Sequence, residues 1–128
     1  EQRSLGAWFI QNRPALVALY AQINHFNPSA HSIPPEVWRE AMRGLNRPDS
    51  LVPTEALRRL GCPVLLVVGR EDPIVPLDIV QEVAGLIPSA QVAVVDQAAH
   101  SAYFEQPEVF NQRLLAFLQG LPDQPVSP

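Results

Sequence analysis

The sequence predicts an α/β protein, built on one β–α–β–α unit with helices ahead of it. Three observations carry this. Pro63-Val64-Leu65-Leu66-Val67-Val68 is an unbroken apolar run, the pattern of a strand covered on both faces in a parallel sheet. Gln91-Val92-Ala93-Val94-Val95 is a second such run, and one helical segment separates the two. That spacing is one parallel crossover with a trailing helix.

The elements follow in order. Leu5, Trp8, Phe9, Leu16, Leu19, Tyr20 and Ile23 recur at helical spacing and predict a helix over residues 5–24. Pro14 should kink or break it, leaving two shorter helices as the alternative. Asn27-Pro28 and Pro34-Pro35 mark a polar connection. Pro35 can open the next helix, with Val37, Met42 and Leu45 on one face. Residues 46–53 read as a loop, and Thr54 as the cap of a short helix that runs to Leu60 and ends at Gly61. After the first strand, Leu77, Val80, Val83, Ala84 and Ile87 make a helical face over residues 77–87. Pro88-Ser89 turns the chain into the second strand. The last helix starts at Pro107, carries Val109, Phe110, Leu114, Phe117 and Leu118, and ends at Gly120. Leu121 to Pro128 reads as a mobile Pro-rich tail.

Composition narrows the function. With 47% hydrophobic and 17% charged residues the chain should form a core. A net charge of −4 without a basic patch argues against nucleic acid. No apolar run is long enough for a membrane span, and the expectation is a cytoplasmic protein. The single cysteine, Cys62, excludes an internal disulfide and reads as a core residue at the mouth of a strand. No His/Cys/Asp/Glu spacing suggests a metal site, and no Gly-rich phosphate loop or other cofactor motif occurs.

The chemistry concentrates after the strands. Gly69-Arg70-Glu71-Asp72-Pro73-Ile74-Val75-Pro76 follows the first, and Asp96-Gln97-Ala98-Ala99-His100-Ser101 follows the second. The carboxyl ends of strands are where α/β sheets place their sites. An acid and then a histidine there can form two thirds of a hydrolytic triad, so Asp72 and His100 are the candidate catalytic residues. As a plain turn, Asp72-Pro73 would need no such partner. Glu71 is the runner-up acid and should point the other way. His25 and His31 fall outside any motif and read as surface residues.

Residues 99–111, Ala99-His100-Ser101-Ala102-Tyr103-Phe104-Glu105-Gln106-Pro107-Glu108-Val109-Phe110-Asn111, closely resemble the histidine loop and final helix of cap-bearing α/β-hydrolases. The proline-iminopeptidase-like and esterase branch is nearest. Ala99 stands where that family usually has Gly, which costs little if its φ is negative. The resemblance covers residues 48–120 as the C-terminal portion of the hydrolase core. It makes residues 1–47 the end of a helical cap and 121–128 a tail. Trp8, Phe9, Tyr20, Phe26 and Trp38 would then supply apolar cap surface, or simply core.

The family's nucleophile has no convincing counterpart. Gln2-Arg3-Ser4-Leu5-Gly6 is the nearest match to Gly-x-Ser-x-Gly, but Gln2 is too large for the strained turn and no strand precedes it. Ser101 is too constrained to serve its neighbour His100. The resemblance therefore implies a serine hydrolase completed by a partner, an N-terminal chain of the same enzyme that carries the nucleophile. Its substrate would be a peptide, amide or ester. The alternatives are a non-catalytic binding module on the same scaffold, and a hydrolase-fold C–C hydrolase or dehalogenase. Asp rather than Ser at the missing turn would identify the dehalogenase.

Overall fold

The computed structural model describes residues 4–26, 33–45 and 47–121. The reading of Asn27-Pro28, of His31 and of nearly all the tail lies outside them. Helix α1 (Ala7–Asn12) and helix α2 (Pro14–His25) replace the single helix over 5–24. Pro14 is the cause. It disfavours helical backbone at the residue before it, and Arg13 sits at φ −132°, ψ 50°. Pro14 then becomes the first residue of α2, where its missing N–H is no loss. Six residues cannot hold a helix by propensity. α1 is held instead by Phe9, which is 1% exposed and packs edge-on against Phe104 at 5.9 Å.

Helix α3 (Pro35–Leu45) starts at Pro35 as its sequence predicts. A single 3-10 turn, Pro48–Ser50, lies in the predicted loop. Helix α4 (Thr54–Arg58) corrects the capping assignment. Pro53 occupies the cap position without a side-chain bond, and Thr54 is already helical. Cys62 is also corrected: it is exposed. It lies in the bend before the sheet, and its carbonyl rather than its thiol is used, accepting the Ser89 hydroxyl at 2.6 Å.

Strands β1 (Val64–Gly69) and β2 (Ala90–Val95) pair in parallel from Val64↔Ala90 to Gly69↔Val95. Helix α5 (Leu77–Leu86) connects them. A short helix α6 (Ala102–Glu105) and the long α7 (Pro107–Gln119) follow. α6 is absent from the sequence reading, which has only a loop before Pro107. The core lies where the strands end. Val95, Ala98 and Ala102 are buried together, with Val67, Val109 and Phe110 packed around them. The strands begin only half-buried and become covered at their carboxyl ends. The segment after β2, with Ala98, Ala99, Ser101 and Ala102 buried, is thus the best-packed among the described residues, whereas the loop after β1 is largely exposed. Among the described residues no helix is long and apolar enough to cross a membrane.

Candidate active site

The two loops are tied together by backbone. The Arg70 amide donates to the Val95 carbonyl and the Glu71 amide to the Ala98 carbonyl, both at 2.9 Å. Arg70 and Asp96 add an exposed ion pair across the same gap. Gly69 makes the approach possible. A Cβ there would run into the Ala99 carbonyl and lie 2.5 Å from that of Ala98. Ala98 and Ala99 are buried in return, at 0% and 1% exposure.

This brings Asp72 and His100 together. His100 Nδ1 lies 2.9 Å from Asp72 Oδ2. The other carboxylate oxygen, Oδ1, accepts the amides of Ile74 at 2.8 Å and Val75 at 3.0 Å. Asp72 therefore makes its own turn and still presents an oxygen to the imidazole. Its side chain is 6% exposed, while that of His100 is 43% exposed. Burial pushes the Asp72 carboxyl up. The Val75 amide, the His100 hydrogen bond, the Ile74 amide and the imidazole charge outweigh it and hold the group below the usual aspartate value. An ionised carboxylate can only accept, so Nδ1 carries the proton. In the neutral ring the lone pair then lies on Nε2, the nitrogen away from Asp72. The pair opens onto a cavity of about 360 Å³, whose walls include Leu65, Val67, Val75, Tyr103 and Phe110.

The other candidates separate cleanly. Glu71 points away from His100, and its Oε2 accepts the Ala7 amide at the start of α1 at 2.9 Å. Ser101 is 2% exposed, and its hydroxyl is engaged with the Tyr20 hydroxyl at 2.7 Å. Ser4 offers its carbonyl to the Ser101 amide at 3.0 Å. β1 leads into the Asp72 loop and β2 into the His100 loop, so neither strand feeds a nucleophile turn. Of the aromatics expected to supply cap surface or core, Phe9 is buried and Tyr20 packs on Phe104 at 5.1 Å. Phe26 and Trp38 are 77% and 55% exposed. Among the described residues no group of three or more His, Cys, Asp or Glu could hold a metal ion.

Ala99 has no positive φ. Gln97, at φ 57°, is the only non-glycine residue in that region among those described. Ala in place of the family's usual Gly is therefore unstrained here.

One residue escaped the sequence reading. Glu105 is 4% exposed, and its carboxylate takes the Ala99 amide at 2.8 Å and the Gly6 amide at 2.6 Å. Burial raises its pKa. The two amides oppose that, and the nearby Glu71 charge adds to it. The available signal was an acid closing the otherwise uncharged run from Ala98 to Phe104.

The model of the alpha/beta hydrolase family matches residues 2–113. The chain belongs to the α/β-hydrolase family. Carboxylesterase YbfK of Bacillus subtilis is 33% identical over 88 residues, which are 65% of this chain and 30% of that protein. A 2-hydroxy-6-oxononadienedioate/2-hydroxy-6-oxononatrienedioate hydrolase of Paraburkholderia phymatum is 39% identical over 62 residues, 48% of this chain and 22% of its own length. A thermophilic esterase from Thermogutta terrifontis superposes with a TM-score of 0.72 at 32% identity, covering 92% of this chain and 40% of the esterase. The chain thus spans well under half the length of these relatives.

Proposed function

We propose that the chain supplies the acid and the general base of a serine-hydrolase triad that acts on esters. The observation that carries the reading is the Asp72–His100 bond, with the acid locked by two amides and the imidazole open on its other side. In this reading a serine attacks the acyl carbon and passes its proton to His100 Nε2. The imidazolium returns that proton to the leaving alcohol. His100 then takes a proton from water as water attacks the acyl-enzyme, and gives it back to the serine as the acid departs. Asp72 keeps the imidazole in the required tautomer and stabilises its cation.

The nucleophile belongs to polypeptide beyond these 128 residues. We take this as an N-terminal chain of the same enzyme. The support is that neither strand leads into a nucleophile turn, and that the chain covers 40% of the Thermogutta esterase. Ester substrates are preferred because two of the relatives above are named as esterases. Nothing in those relatives favours the aminopeptidase side of the sequence reading. C–C bond hydrolysis stays as the second reading, on the 39% identity to the dioate hydrolase.

The test is turnover of a short-chain nitrophenyl ester by the assembled enzyme. His100→Ala should cost on the order of 10³-fold or more in kcat, and Asp72→Asn a comparable factor by favouring the wrong tautomer. Glu71→Gln should be mild. Near-normal activity after His100→Ala would move the base elsewhere. A fluorophosphonate probe should label a serine outside this sequence, and label on Ser4 or Ser101 would overturn the assignment.

A further inference from the structure

His100 is held by its neighbours. Ala99, before it, gives its amide to Glu105 Oε1 at 2.8 Å. Ser101, after it, gives its amide to the Ser4 carbonyl at 3.0 Å. Glu105 Oε2 meanwhile takes the Gly6 amide at 2.6 Å. One buried carboxylate thus joins the histidine loop to the segment that enters α1.

We propose that Glu105 is a positioning residue for His100, clamping the Ala99 and Gly6 amides on one carboxylate and so fixing the base relative to the cap segment. The inference rests on the triad reading for its functional meaning, though not for its geometry.

Two amide donors converge on the site from segments far apart in sequence. A carboxylate is acceptor-only and can take both, whereas a glutamine would turn an NH₂ toward one of them. Burying a charge is costly, and a helix of four residues does not require it. Gly6 has a matching role. A Cβ there would stand 2.9 Å from Glu71 Oε2, 3.2 Å from Glu105 Oε2 and 3.3 Å from the Ala99 nitrogen. A side chain there would crowd both the carboxylate and the amides it accepts from. The imidazole itself is 43% exposed and bonded to Asp72 through one nitrogen. Its placement therefore depends on where the backbone on either side is held.

The test uses the assembled hydrolase with Glu105→Gln. The first readout is the low-field proton resonance of His100 Nδ1–H, which reports the bond to Asp72 without any turnover. The second is ester hydrolysis. The expected result is a resonance that shifts or broadens, with kcat lowered about 10- to 100-fold and KM nearly unchanged, as for a misplaced catalytic group. A resonance and a kcat both as in the parent enzyme would overturn the inference. Should Glu105→Gln not fold, Gly6→Ala decides, since it presses on the clamp without removing it. A shifted resonance supports the role, and an unshifted one sinks it. Full activity in His100→Ala would instead defeat the triad reading, and the resonance would still judge Glu105 separately.

Discussion

A side chain on Gly69 has nowhere to go, because the carbonyls of Ala98 and Ala99 already occupy the space. Both are backbone atoms of the loop that carries His100, so that loop must move if a side chain is added. Gly69→Ala should destabilise the protein by about 3 kcal/mol or more, the upper end for overpacking, since no side chain can yield. Urea denaturation of the assembled enzyme measures it, and a loss below about 1 kcal/mol would show that the loop is compliant. The two buried carboxylates give pH dependences of opposite sign. Asp72 has its folded pKa below the ordinary value, so its contribution is present above about pH 3.9 and lost as pH falls through the folded value. Glu105 has its folded pKa above the ordinary value. Its contribution is present below about pH 4.3 and lost as pH rises through the folded value. Asp72→Asn should therefore flatten the acid limb of stability, read as the urea midpoint between about pH 2 and 5. An unchanged slope would show that the carboxylate is no better held in the fold than in the unfolded chain. Asp72 and His100 were legible because each closes an apolar strand, a position with few purposes. Glu105 was not, because its partners are the amides of Gly6 and Ala99, and no pattern announces a backbone partner 99 residues away.

Elements were legible where one force decided them. The strands came out within one residue at each end, because an unbroken apolar run has one comfortable place in a parallel sheet. Pro14 and Pro35 set helix starts, as their missing N–H requires. Thr54 failed as a cap because Pro53 already supplies the extended residue ahead of the helix. α6 escaped because four residues show no periodicity. It exists because the Phe104 and Glu105 amides both return to the Ser101 carbonyl, at 2.8 and 2.9 Å. α2 docks on it through Tyr20, which meets the Ser101 hydroxyl and the Phe104 ring. Tyr20→Phe keeps the ring and deletes the hydroxyl. It should cost about 1 kcal/mol, the net worth of one such bond, with little change in kcat. A loss of kcat as large as that of Glu105→Gln would mean that α2, rather than the Gly6 amide, positions the loop.

At the scale of the whole molecule, burial is concentrated at one end. α2, α3, α4, α5 and α7 contain no buried residue among those described. Ile23, Trp38, Ile74, Ile79, Leu115 and Leu118 each keep between 47% and 55% of their surface. Among the described residues the sheet has two strands, and a parallel sheet is normally covered on both faces and has few open edges. A well-packed histidine loop on a poorly covered sheet is what one end of a larger core looks like, and the 30–40% share of the Bacillus and Thermogutta relatives agrees with that. Prepared by themselves, these 128 residues should therefore bind a hydrophobic dye and self-associate, because so many large apolar side chains stay half exposed beside an uncovered sheet. On the two-part reading, adding the polypeptide with the nucleophile should abolish dye binding and restore ester hydrolysis together, since the same contacts would cover the sheet and bring the serine to His100. Light scattering and dye fluorescence read the first effect, and turnover the second. A compact monomer with a sharp thermal transition and no dye binding would contradict the two-part reading. It would favour the binding-module alternative, with Asp72 and His100 serving as turn residues on a hydrolase scaffold.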